Sequence, residues 1–191
     1  MSMAIEKFKL DSEKAVLVVI DIQERLVPVM PQDIYPAMRA TVRMLVDAAQ
    51  LLNVPVVTTE QYPKGIGHTV PELSAACRER VVEKVSFGCC GEPDFMTALR
   101  ETGRSQVIVT GMEAHVCVYQ TVLGLLEAGY HVHLVADAVC SRNKRDFQAG
   151  LKNAGQAGAV VTTAEIVLFQ MLQNSTHAHF KALSKMIKDR Q

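Results

Sequence analysis

The sequence lacks an excess of charge of either sign: Lys and Arg number 20, and so do Asp and Glu. With no basic run either, there is no electrostatic footprint for nucleic acid or for an anionic membrane surface, and a small uncharged or weakly charged molecule is the expected partner. Long apolar runs are missing too. None reaches the length that spans a bilayer, and the opening stretch MSMAIEKFKLDSEK alternates charged and apolar residues, without the continuous apolar core of a secretory signal. The five cysteines, Cys77, Cys89, Cys90, Cys117 and Cys140, are odd in number and show no CxxC pair. That pattern speaks against a disulfide framework and for reduced thiols in a cytoplasmic protein. No linker or low-complexity segment interrupts the chain. Its 191 residues are expected to form a single domain, 1–191, with ample core.

What is present is a serial pattern. Residues 15–21, AVLVVID, form a short β-branched and aliphatic run ending in an acid, as strands covered on both faces do. From residue 33, Ile34, Met38, Val42, Leu45, Val46, Ala49 and Leu52 recur at steps of three and four, which predicts a helix. It stops at Pro55, and residues 56–59 restart a strand. A helix closing on a glycine and followed within a few residues by an apolar strand then recurs at Gly103, Gly129 and Gly155. Residues 81–85 add a strand, and residues 175–191 a final helix with Phe180, Leu183, Met186 and Ile187 on its apolar side. This order predicts an α/β fold: three layers, with a mostly parallel, doubly wound sheet between helices.

In such a sheet ligands bind beyond the carboxyl ends of the strands, near the point where strand order reverses. Standing at those ends are Asp21, Glu60 with Gln61, Lys84, the turn from Gly111 to Cys117, and Asp137. Cys117 falls in the first turn of a helix that follows strand 107–110, where unpaired N–H groups and the helix dipole favour thiolate. Asp21 is suited to take the thiol proton and return it to a leaving group, and Lys84 to hold both by charge. Backbone N–H groups between Glu113 and Cys117 are suited to an oxyanion. Taken singly, each residue has an ordinary explanation: Cys117 as a small hydrophobe, Asp21 as a cap, Lys84 as a solvated charge. Their meeting on one edge is what favours thiol-mediated acyl transfer.

Four stretches in order, VLVVIDIQ at 16–23, EKVSFG at 83–88, VTGMEAHVCV at 109–118 and LVADAVCSR at 134–142, resemble the isochorismatase-like cysteine hydrolases over almost the whole chain. TTEQYPKGIGHTVPEL at 58–73 is most similar to the group called isochorismatase domain-containing proteins. The resemblance implies the isochorismatase-like hydrolase fold (Rossmann-like) and a catalytic triad of Asp21, Lys84 and Cys117. It also implies an oxyanion hole from the backbone N–H groups of Glu113 and Cys117, a cis peptide between Met112 and Glu113, and a homo-oligomer. The metal site of the related nicotinamidases has no counterpart here: the matching region reads EQYPKGIGH, with His68 a lone imidazole. No metal and no cofactor are therefore expected. The retained cysteine fits amide or related C–N cleavage through a thioester better than vinyl-ether hydrolysis. A catalytically idle module that binds a partner is the rival reading.

Gln23, Gln61, Tyr62 and Phe87 lie just beyond strand ends and are the candidates for substrate contact, against a plain loop-packing role. His115 sits two residues from Cys117, on a different side of a helix, and is expected to line the pocket or face solvent. His131 and His133 share a strand face at the far edge and are expected to be structural or exposed. No role is assigned to His177 or His179. Cys89 and Cys90 are expected to pack a loop near the site, and Met171 and Met186 to supply an oligomer interface.

Overall fold

The chain's computed structural model describes residues 3–190. Six strands, β1 (Ala15–Ile20), β2 (Val56–Gln61), β3 (Val81–Lys84), β4 (Gln106–Met112), β5 (His131–Cys140) and β6 (Val160–Thr162), form one sheet in the order β3-β2-β1-β4-β5-β6. Every pairing is parallel, as expected where each strand returns through a helical crossover. The order runs outward from β1 in one direction and from β4 in the other. The switch point therefore falls between these two central strands.

The helices are α1 (Met3–Glu6), α2 (Tyr35–Leu51), α3 (Pro63–Ile66), α4 (Pro71–Ser74), α5 (Pro93–Glu101), α6 (Tyr119–Glu127), α7 (Lys144–Ala157), α8 (Ala164–Leu172) and α9 (Phe180–Asp189). All six residues of β1 are buried, and their alternation divides the core. Leu17 and Val19 join the side chains of α2, α8 and α9 on one face. Val16, Val18 and Ile20 join Phe95, Leu99, Val122 and Leu125 of α5 and α6 on the other. That is why the strand reads as a continuous apolar run. In α2, Met38, Val42, Leu45, Val46 and Ala49 are buried, the face expected from their spacing.

Three expectations need correction. The strand before Cys117 does not turn at Gly111 but runs on to Met112. Gly111 has φ +123°, and a Cβ there would lie 2.0 Å from the carbonyl oxygen of Ile20, so β4 passes β1 at a distance only glycine allows. The register with β5 shifts at the same place, and this bulge delivers the next turn to the end of β1. Second, Gly155 lies inside α7; the positive-φ residue that ends that helix is Gly158 (φ +120°). Third, the last helix is shorter than 175–191, starting at Phe180 and burying Leu183 and Ile187; Gln191 lies outside the described residues. Among the described residues no helix is long and apolar enough to cross a membrane.

Candidate active site

Asp21 is the first residue past β1. Its backbone has φ +49°, a left-handed conformation that aspartate tolerates better than most residues, and its N–H donates to the carbonyl of Thr59 at 3.2 Å. The side chain is fully buried. One carboxylate oxygen, Oδ1, accepts the Thr59 hydroxyl at 2.7 Å, and Oδ2 lies 2.6 Å from Lys84 Nζ. Lys84 ends β3, two strands away. Its ammonium is wholly buried and also donates to Gln61 Oε1 (2.7 Å), Phe87 O (3.1 Å) and Ser86 O (3.2 Å). Burial alone would lower its pKa, but the Asp21 charge, with Cys89 and Cys117 nearby, more than offsets this and leaves it raised. Lys84 is therefore a fixed cation.

Cys117 sits in a π-helical turn, Ala114–Val118, between β4 and α6. The turn is braced from behind by α7, where Gly150 approaches so closely that a Cβ would lie 2.9 Å from Ala114 O. Cys117 is buried, at 8% exposure. The charges of Asp21 and Lys84 both act on its thiol. Burial and then the Asp21 charge push its pKa well above the ordinary thiol range; Lys84 pulls the other way and does not win. The expectation of a ready thiolate at a helix start is thus corrected. The helix end is outweighed by burial and the carboxylate charge, so the resting form is a thiol.

Other expected site residues fall into place differently. Gln23 is fully buried and its amide is spent on the chain: Nε2 donates to Gly67 O (2.5 Å) and Gln61 O (3.0 Å), and Oε1 accepts from Gln61 N (2.7 Å). It fixes the loop after β2 and is not exposed for substrate contact. Gln61 holds Lys84 and reaches Val85 O at 2.8 Å. Tyr62 is 55% exposed with its ring folded over Gly65. Phe87 is 56% exposed, giving the lysine its carbonyl and solvent its ring. Asp137 is not at the strand end: β5 continues to Cys140, and Asp137 instead accepts Ala164 N at the start of α8 and pairs with Arg190 at 2.9 Å.

His68 is not a lone imidazole. Its Nδ1 lies 2.8 Å from Glu60 Oε2, and Glu60 Oε1 accepts both the N–H and the hydroxyl of Thr69. Among the described residues no three His, Cys, Asp or Glu side chains converge as a metal site. His115 Nδ1 is 3.0 Å from Ser141 Oγ. Glu113, joined to Met112 by a cis peptide, turns its side chain to Arg142 at 3.2 Å. His131 is exposed and His133 buried. Met171 is buried in the core, which removes it from any interface. Thr59 and Thr121 went unnoticed in the sequence. The available signal was a polar residue on the inward register of an otherwise apolar strand or helix.

A doubly wound α/β protein with a buried acid–lysine pair beyond its strand ends, and a cysteine in the turn after β4, is the class that this fold and site define. The chain belongs to the isochorismatase family: the isochorismatase domain profile matches residues 15–166. It is 38% identical to isochorismatase domain-containing protein 2 of Danio rerio over 94% of this chain and 89% of that one. It is similar in structure to MAR1 ribonuclease of Caenorhabditis elegans (TM-score 0.88, 39% identity, 94% and 92% coverage). It is also similar to the Escherichia coli YcaC gene product, described as an octameric hydrolase of unknown specificity (TM-score 0.87, 27% identity, 95% and 92% coverage).

Proposed function

We propose that the protein is a cysteine hydrolase that cleaves a small, neutral amide or related C–N bond through a thioester on Cys117. The observation that carries this reading is the buried Asp21 carboxylate, paired with the Lys84 ammonium at 2.6 Å, whose charge also acts on the Cys117 thiol. As sulfur attacks the acyl carbon, the thiol proton passes to Asp21 and the S–C bond forms. Backbone N–H groups of Glu113 and Cys117 receive the oxyanion. Asp21 then protonates the departing amine as the C–N bond breaks. Water adds to the thioester with Asp21 taking its proton, the acid leaves, and the proton returns to sulfur. Lys84 stays charged throughout and pairs with the Asp21 carboxylate.

The charges at the site are matched within it. Lys84 is offset by Asp21, Glu113 faces Arg142, and Glu60 is bonded to His68 and Thr69. With these charges paired, an uncharged acyl group is the one we favour. Tyr62 and Phe87, the exposed aromatic residues beside Lys84, remain our candidates for substrate contact, with Gln61 holding the lysine. We further infer a homo-oligomer in the cytoplasm. Support comes from Ile166 and Phe169 exposed on α8, from five free thiols, and from the octameric assembly described for the YcaC protein.

A panel of small amides, incubated with wild type and Cys117→Ala, tests the reading. Wild type should release amine and carry a transient acyl mass adduct on Cys117, and the variant neither. Absence of turnover by both, with equal capture of a partner, would favour the idle-module reading. RNA belongs in the same panel because a similar structure carries the name ribonuclease; RNA cleavage that survives Cys117→Ala would overturn thiol catalysis.

A further inference from the structure

Thr59 contacts the Asp21 carboxylate, and Cys89 contacts Thr59 and, through Thr121, the backbone of Cys117. Thr59 lies on the inward face of β2, fully buried, opposite Ile20 in the β1 register. It grips Asp21 twice, through its carbonyl to the Asp21 N–H (3.2 Å) and through its hydroxyl to Oδ1 (2.7 Å). The same hydroxyl oxygen lies 3.7 Å from Cys89 Sγ, which donates to it. A hydroxyl has one hydrogen. With the thiol hydrogen occupying an acceptor position on Thr59, the hydroxyl hydrogen is directed to the carboxylate.

Cys89 is built to remain a donor. It is fully buried beside Phe95 and Val118, and burial, followed by the Asp21 charge, pushes its pKa up to about 11. Its backbone N–H donates to Thr121 Oγ1 (3.0 Å), and that hydroxyl donates to Cys117 O (2.6 Å). One loop residue therefore ties the strand that carries the acid's support to the helix that carries the nucleophile.

We propose that Thr59 is a positioning residue for Asp21, holding its carboxylate in place, and that the Cys89 thiol sets the direction of the Thr59 hydroxyl. This rests on the hydrolase reading for its meaning, since it names how the proton acceptor of that site is tuned. Its chemistry can be read without any substrate. In the hydrolase reading the Cys117 proton passes to Asp21, and thiolate arises as the form in which the proton sits on Asp21. Removing the Thr59 donor makes the carboxylate a better proton acceptor, so the thiolate form gains population.

The test is the pH dependence of Cys117 alkylation by iodoacetamide, mapped by mass spectrometry. Thr59→Val should raise the neutral-pH rate roughly three- to tenfold, the equivalent of one hydrogen bond, and move the acid limb of the profile upward. Thr59→Ser, which keeps the hydroxyl, should restore the wild-type profile to within about twofold. Cys89→Ala should move the limb the same way by less. A Thr59→Val profile that superimposes on wild type, or falls at every pH without a shift, overturns the proposal. Should Thr59→Val fail to fold by near-ultraviolet circular dichroism, Cys89→Ala decides, and an unmoved limb overturns it. A shifted alkylation profile in a protein whose wild type turns over no amide supports the relay and sinks the hydrolase reading alone. Amide turnover with an unshifted profile sinks the relay alone.

Discussion

Replacing Lys84 by methionine removes the single cation at the base of the site while keeping the length of the side chain. The ammonium has no exposure and serves Asp21 Oδ2, Gln61 Oε1, Ser86 O and Phe87 O. Without it, a buried carboxylate loses its counter-charge and three acceptors lose their donor. Breaking a buried ion pair by removing one partner costs about 3–5 kcal/mol, which for a chain of this size lowers the melting temperature by roughly 6–20 °C. Asp21→Asn is the informative companion, because asparagine keeps the left-handed backbone at φ +49° and drops the charge. The double variant Asp21→Asn/Lys84→Met leaves no uncompensated charge and should be more stable than Lys84→Met, with a coupling of about 2–3 kcal/mol in the cycle. Urea denaturation of the four proteins measures it. Additive losses, with the double variant the least stable, would refute the claim that the pair is coupled and dry.

His133 is buried and its pKa is lowered from 6.5 to about 4, first by desolvation and then by the charge of His131. Below 6.5 the unfolded chain takes up a proton that the folded chain refuses, so stability should fall by about 3 kcal/mol as pH drops from 6.5 to about 4. In His133→Leu that slope should flatten, as measured by urea midpoints across the range. Gly111→Ala drives a Cβ to within 2.0 Å of Ile20 O and should cost about 3–5 kcal/mol, with loss of the burial that shields Cys117 from bulky maleimides. Sedimentation should give a species heavier than the 21.0 kDa chain; substitution of Ile166 and Phe169 by lysine should dissociate it, and a wild-type monomer would remove the oligomer from the account.

Much of the architecture was legible because strand burial leaves a trace in one dimension. AVLVVID and SQVIVTG are apolar on both faces because the helices cover both faces, and glycines at 103 and 129 adopt the left-handed conformations that end their helices. Gly155 misled because α7 runs on for two further residues to Ala157, and a glycine inside a helix reads like one at its end. The pairing of Asp21 with Lys84 followed from strand ends near the switch point. What stayed hidden was where side chains turn after the strand ends. Gln23 and Gln61 look alike in sequence, yet one closes a loop and the other holds the lysine. The protonation of Cys117 was misjudged for the same reason. A helix terminus is visible in sequence, whereas depth of burial and the proximity of Asp21 arise only in three dimensions.

The central claim is that Asp21 and Cys117 hold one proton between them beside a permanent cation. Its most direct measurement is the rate of Cys117 alkylation in native wild type between about pH 6 and 8. A shared proton keeps the thiolate fraction constant, so the rate should be flat across that interval and become strongly pH-dependent in Asp21→Asn. A wild-type rate that climbs about tenfold with each pH unit, as for a thiol ionising alone, would contradict the account.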